Sequence, residues 1–210
     1  MKLCMFSPGD QNLERGWPGR IDGDVVVQLA AQTLQAYFTG GGDAREHATY
    51  PVADVTLRAP VLHPPSIRIF GAEGDFSFAN PAAVHGPEDT IVLPAGVEAI
   101  EAQLRLAAVI GDAGAIGGFT LLNEFHAPQL RGMKTHDFAI SLGPLLVTPD
   151  ELETAGDWDP LVEHAGRNTR LYPGDVLAAG GELIGPFHDG DLVEVGFDPI
   201  GTLRNRVAAP

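Results

Sequence analysis

The 210-residue sequence predicts a β-dominated α+β fold, and three observations carry that expectation. Leu104, Leu106, Ala108 and Ile110 alternate with Gln103, Arg105, Ala107 and Val109, the period-two pattern of a strand with one buried face. Asp22-Gly23 stands between Arg20-Ile21 and Val25-Val26-Val27, and such a pair suits a two-residue hairpin turn, whose central residues take positive φ. The 26 Gly and 17 Pro break the chain at short intervals, as many short strands joined by turns require.

Taken in order, residues 2–6 read as a strand, Trp17-Pro18-Gly19 as a turn, and residues 28–38 as a short helix with Leu29, Leu34 and Phe38 inward. Gly40-Gly41-Gly42 stops that helix. Arg45-Glu46-His47 reads as a solvated turn and residues 55–57 as a strand leading to Ala59-Pro60. Residues 1–58 are therefore expected to form a small amino-terminal β-hairpin plus helix layer packing on the core, and 59–210 the main domain. Within it, Phe76 and Phe78 alternate on one face, Asn80-Pro81 and Gly86-Pro87-Glu88-Asp89 are turns, and residues 91–94 end a buried strand. His85 reads as an exposed residue beside a turn. Small residues 111–118 turn the chain into a second apolar strand, 119–122. Residues 150–170 are polar, with Trp158 as a packing residue. Residues 171–207 are β again, opened by Pro173-Gly174-Asp175 and by Asp189-Gly190-Asp191.

A formal charge of −15 argues against nucleic acid and anionic membranes as partners, since both reward basic surfaces. Cys4 is the single cysteine, which excludes an internal disulfide and a cysteine-based zinc site, and it reads as a small strand residue. The first residues are too soon interrupted by Pro8-Gly9-Asp10 to form a secretory signal, and no apolar run approaches the ~20 residues of a membrane span. A cytoplasmic protein is expected by default. No phosphate-cradling or dinucleotide-binding glycine motif occurs in its proper setting.

Chemistry-bearing side chains concentrate after the second strand: Asn123, Glu124 and His126, followed by Lys134, His136 and Asp137. Polar groups at a strand's carboxyl end often meet a ligand, and spacing alone leaves a site and a solvated loop both open.

The ordered segments V-I-G (109–111), G-F-T-L-L-N-E (118–124), K-T-H-D-F (134–138), S-L-G-P-L-L-V-T-P-D-E-L (141–152), L-Y-P-G-D-V (171–176) and G-D-L-V-E-V-G-F-D-P-I-G-T-L-R-N-R-V (190–207) resemble the catalytic domain of the fumarylacetoacetate hydrolase family. The resemblance covers about residues 60–207. It implies a mixed β-roll or sandwich, a homodimer, and divalent-metal chemistry on β-dicarbonyl and 2-oxo acids. Matched residue by residue, however, the family's Glu-x-Glu becomes Gln103-Leu104-Arg105, the Asp of its Asn-Asp pair becomes Glu124, and an upstream Asp falls on Ile69. The segment that bears a general-base His is shortened to residues 71–76 and holds none, and an expected Arg falls on Pro128. The T-G-T-like turn reads Ala179-Gly180-Gly181, and much of the region between Leu152 and Arg170 is missing. Lys134 is kept.

A guanidinium placed among would-be metal ligands repels a cation, so the sequence predicts no catalytic metal and no cofactor. The expected catalytic residues are Arg105, Glu124, His126, Lys134, His136 and Asp137, with Arg105 and Lys134 replacing the metal's charge and Glu124 acting as a base whose pKa burial raises. Gln103, Phe70, Glu73, Asp75, Phe76 and Asn123 are expected to bind the substrate, a small carbonyl-containing molecule of β-dicarbonyl or polyketide-like type, as in secondary metabolism. Cyclase, isomerase, decarboxylase and dehydratase chemistry all remain open. Two alternatives stand beside this reading. One is a non-catalytic pseudoenzyme or partner subunit in which Arg105 and Glu124 form a structural ion pair. The other is a conventional metal-dependent hydrolase in which Glu101 takes the position assigned to Gln103.

Overall fold

A computed structural model describes residues 1–71, 74–152 and 156–210. The amino-terminal segment comprises β1 (Lys2–Pro8), β2 (Trp17–Asp22), β3 (Val25–Leu29), α1 (Leu34–Thr39), β4 (Glu46–Pro51) and β5 (Val55–Arg58). There follow β6 (Ile67–Phe70), β7 (Phe76–Ala79), β8 (Val84–His85), β9 (Thr90–Val92), β10 (Ile100–Ile110), β11 (Ile116–His126) and β12 (Ile140–Val147). The chain ends with α2 (Asp159–Gly166), β13 (Val176–Phe187), β14 (Leu192–Phe197) and β15 (Gly201–Ala208). Among the described residues twelve strands form one sheet, in the order β4-β3-β2-β1-β12-β11-β10-β13-β6-β7, with β5 beside β1 and β8 beside β12. A second sheet runs β14-β15-β9.

The centre of the large sheet is buried on both faces: Ala107 and Val109 are as fully buried as Ala108 and Ile110, in place of the single buried face expected of this strand. Period two divides them between separate cores. Ala107, Val109, Leu122, Ile140 and Leu142 pack with Leu3, Met5, Leu34 and Phe38 of the amino-terminal segment. Ala108, Ile110, Phe119 and Leu121 pack instead against Trp158 and Leu203. Each fully buried Leu, Ile or Phe of this kind contributes about 1.5–3 kcal/mol. β1 belongs to the main sheet, pairing Leu3 with Leu146 on β12.

Several sequence expectations change here. Trp17-Pro18-Gly19, expected as a turn, instead opens β2 and pairs with Phe6, Met5 and Cys4 of β1. Residues 28 and 29 complete β3 rather than begin a helix, because Val25–Leu29 is paired on both sides, with β2 and β4. The helix starts only where the Thr33 side chain accepts from the Ala36 backbone N–H. Glu46 and His47 are exposed, yet they open β4 rather than a turn. The polar stretch 150–170 contains α2, whose first turn holds a proline and whose entry is fixed by Asp157 accepting from the Asp159 N–H at 3.1 Å. His85 is half-buried, and burial pulls its pKa down against the opposing effect of Asp89. Among the described residues no helix is long and apolar enough to cross a membrane.

Candidate active site

β10 and β11 pair antiparallel with Gln103 opposite Glu124 and Arg105 opposite Leu122. Alternation therefore places Gln103, Arg105, Glu124 and His126 on one face, continuing the surface begun by Ala107, Val109 and Leu122. Arg105 donates from Nε and Nη2 to the same oxygen, Glu124 Oε2, at 3.2 and 3.1 Å. Both side chains are nearly sealed from solvent, at 8% and 6% exposure. Arg105 Nη1 donates to the Gly180 carbonyl oxygen.

That last bond depends on local backbone geometry. The pairing of β10 with β13 slips between Leu104 and Leu106, where Gly180 and Gly181, at φ of 68° and 121°, together face the single residue Arg105. A Cβ on Gly181 would lie 2.6 Å from the Leu104 carbonyl oxygen, so only glycine allows this approach.

Arg105 and Glu124 meet at a cavity of about 400 Å³. Its polar side adds His126 and His136; its apolar side is Ile69, Phe70 and Phe76, with Asp75 at the edge. His126 Nε2 lies 3.7 Å from Glu124 Oε2, close enough to act on the charge and too long for a hydrogen bond. The two imidazole centroids are 5.8 Å apart, and His136 Nδ1 shares a 2.8 Å hydrogen bond with Thr135 Oγ1. All these contacts with Glu124 fall on Oε2.

The charge state of Glu124 departs from expectation. Burial pushes its pKa up, but His126 and Arg105 outweigh that and hold it below the ordinary carboxylate value. Glu124 is thus a fixed anion at neutral pH rather than an activated base.

The structure also separates residues that the sequence grouped. Lys134 is 76% exposed and pairs with Asp137 at 2.9 Å in the loop after β11, outside the cavity lining. Asn123 is fully buried and, being one residue from Glu124, points to the opposite face of the sheet. Neither Lys134, Asp137 nor Asn123 lines the cavity. Glu73 lies outside the described residues. Glu101 sits opposite His126, two register pairs beyond Gln103 and on the same face.

One neighbour was missed by sequence reasoning. His164, on α2, places its ring 5.6 Å from Phe76 and 6.2 Å from Phe70, edge to face, with Nε2 3.6 Å from Asp75 Oδ1. No local signal marks it, because α2 reaches the cavity only through tertiary packing. A larger groove of about 880 Å³ beside α2 includes Asp112, Glu163 and Arg170. Those three side chains are exposed, whereas Arg105 and Glu124 are nearly buried, so the smaller cavity is the better candidate.

No family model matches the chain. Among curated proteins it is 27% identical to the 2,4-didehydro-3-deoxy-L-rhamnonate hydrolase of Sphingomonas sp., over 60% of this chain and 62% of that protein. The chain thus spans less than two thirds of that relative's length. It is 24% identical to the mitochondrial oxaloacetate tautomerase Fahd2a of Rattus norvegicus, over 88% of this chain and 77% of the relative. Among solved structures, 5-carboxymethyl-2-hydroxymuconate delta-isomerase from Mycobacterium smegmatis superposes with a TM-score of 0.80 at 27% identity, covering both chains fully. Maleylpyruvate hydrolase from Sphingobium sp. SYK-6 superposes at 0.83 and 22% identity, again over the whole of both chains.

Fold and homologues together define a fumarylacetoacetate hydrolase-type protein with a strand-dominated core. The chain is similar in sequence and in fold to fumarylacetoacetate hydrolase-domain proteins, and the relatives named above are enzymes.

Proposed function

We propose that this protein is a metal-independent enzyme that enolises a 2-oxo or β-dicarbonyl compound, the proton transfer common to isomerase, decarboxylase, dehydratase and cyclase reactions. The observation that carries this reading is the placement of the Arg105 guanidinium on Glu124 inside the cavity. A hard divalent cation needs several oxygen ligands held around one point. Here the one carboxylate on that face of β11 is engaged by a permanent cation, Gln103 opposite it is neutral, and Ile69 is apolar. These residues do not fit the ion.

The same geometry supplies what enolisation requires. Three of the five guanidinium N–H donors are committed to Glu124 and Gly180, leaving the rest for a developing oxyanion. His126 is 28% exposed at the cavity; its Nε2 is buried toward Glu124, which leaves Nδ1 as the nitrogen suited to take the α-proton and return it. Glu124 holds Arg105 and His126 in place through its charge. His136 is a second donor beside them.

The test is α-proton exchange of oxaloacetate in deuterated water, followed by proton NMR with chelator present. Protein-dependent exchange that survives the chelator and is lost in His126→Asn supports the reading. Exchange that appears only with added Mn²⁺ or Mg²⁺ would mean a metal-dependent family enzyme. No protein-dependent exchange across 2-oxo and β-dicarbonyl acids would favour the non-catalytic alternative, in which Arg105 and Glu124 only satisfy each other.

A further inference from the structure

The cavity has two chemically unlike sides, and the apolar one has its own scaffold. Phe70 and Phe76 are cross-strand partners on β6 and β7, with ring centroids 5.4 Å apart. Phe78 meets Phe76 edge to face at 5.5 Å and 88°, and Arg68 lies over both Phe76 and Phe78 at 5.7 and 5.4 Å. Arg68 is itself fixed from beneath, donating to Ser66 Oγ at 2.6 Å, and Ser66 Oγ in turn donates to Asp175 Oδ1 at 2.6 Å. On the outer side His164 presents its ring to both Phe70 and Phe76 and sits 3.6 Å from Asp75. Phe76 is thus packed on three sides, by Phe70, Phe78 and His164, while it still borders the cavity.

Aromatic rings held this way are a poor environment for a second carboxylate and a good one for a flat apolar group. The opposite side, with Arg105, His126 and His136, takes the polar end of a ligand. The geometry points to a substrate with an apolar, preferably aryl, substituent on a 2-oxo or β-dicarbonyl acid, the ring seated against Phe76, which the buried Phe70 backs, and the oxygens turned to Arg105. His164 is a positioning residue that sets the angle of the Phe76 ring. A cavity of about 400 Å³ lies within the range that encloses small ligands. This inference rests on the enolisation reading for the identity of the polar end, but not for the presence of the aromatic side.

Calorimetric titration separates the two. Phenylpyruvate should bind about tenfold more tightly than 2-oxobutyrate, a gain of the size expected for one seated ring. Phe76→Ala and His164→Ala should each remove most of that ratio, and His164→Phe, which keeps an edge-to-face ring, should retain it. Equal affinities in the intact protein, or a ratio unaltered in Phe76→Ala, would overturn the inference. Preferential binding of phenylpyruvate without proton exchange would leave the inference standing and refute the enzymatic reading.

Discussion

Arg105 reaches past its own register partner, Leu122, to the diagonal Glu124 and sets two guanidinium nitrogens on one carboxylate oxygen. Both groups are nearly buried, so their value to stability is asymmetric. Removing one partner strands a buried charge, whereas removing both does not. Arg105→Met should cost about 3–5 kcal/mol in urea denaturation, and Arg105→Met combined with Glu124→Gln should recover most of it. The acid limb gives a second readout. Because the native Glu124 carboxyl titrates below its ordinary value of about 4.3, its contribution is complete above that pH and fades as pH falls through the lower native value. Glu124→Gln should flatten that part of the stability profile.

If Arg105 is what excludes a divalent cation, reversing its charge should admit one. In Gln103→Glu/Arg105→Glu, three carboxylates would face one another across the β10–β11 pair. Mn²⁺ should then raise stability by about 2.7 kcal/mol at a hundredfold excess over its dissociation constant. The unsubstituted protein should show no such shift. Thermal denaturation with and without Mn²⁺ checks both halves, and equal stabilisation of the two proteins would mean that the cation binds despite Arg105.

The division of labour between the two histidines is also measurable. His126 lies beside Glu124, whereas His136 is tied to Thr135 and sits one ring further away. His126→Asn should lower proton exchange by about 10²–10⁴-fold, the range for losing a positioned acid–base group. His136→Asn should cost less and act mainly on oxyanion binding. The opposite ranking would transfer the proton to His136.

Cys4 gives a simple probe of opening. It is fully buried in β1, and burial pushes its thiol up to about 12. The thiolate is the reactive form, so labelling by a disulfide reagent at pH 8 should be negligible in the native protein and should track unfolding as urea is added. Labelling at a rate independent of denaturant would show that β1 opens locally.

The alternation of residues 103–110 identified the central strand, and Asp22-Gly23 the amino-terminal hairpin, because each is a local rule that tertiary packing did not override. The helix expected at 28–38 was too long because Leu29 suits either element, and pairing with both β2 and β4 decided in favour of a strand. At the site, substitution of ligand positions gave Arg105 against Glu124, including the ion pair as one alternative. Asn123 was wrongly grouped with the substrate-binding residues, although strand alternation was enough to turn it away from Glu124. Three features were not readable: the net downward pKa of Glu124, which depends on His126 at 3.7 Å; the exposed position of Lys134, set by an irregular loop; and the approach of His164 to Phe76. All three arise from distances that no sequence spacing encodes.

The face to which Asn123 does point has its own consequence. Asn123 and Ser141 are register partners on β11 and β12, and both are fully buried. Gly143, two residues beyond Ser141 on the same face, lies against Pro87 and Leu203, so this face looks toward β15. Asn205, two residues from Leu203 on β15, is fully buried and donates from Nδ2 to the carbonyls of Gly86 and Asp89. Asn123 Nδ2 and Oδ1, Ser141 Oγ and Asn205 Oδ1 have no partner among the described residues. Buried polar groups left open in one layer are ordinarily joined by ordered water. A crystal structure at high resolution should therefore show at least one water bridging Asn123 to Ser141 or Asn205. Asn123→Leu should expel it and cost about 1–3 kcal/mol, because the remaining oxygens lose their partner while staying buried. A dry layer, with Asn123→Leu as stable as the parent, would show that these groups tolerate burial unpaired.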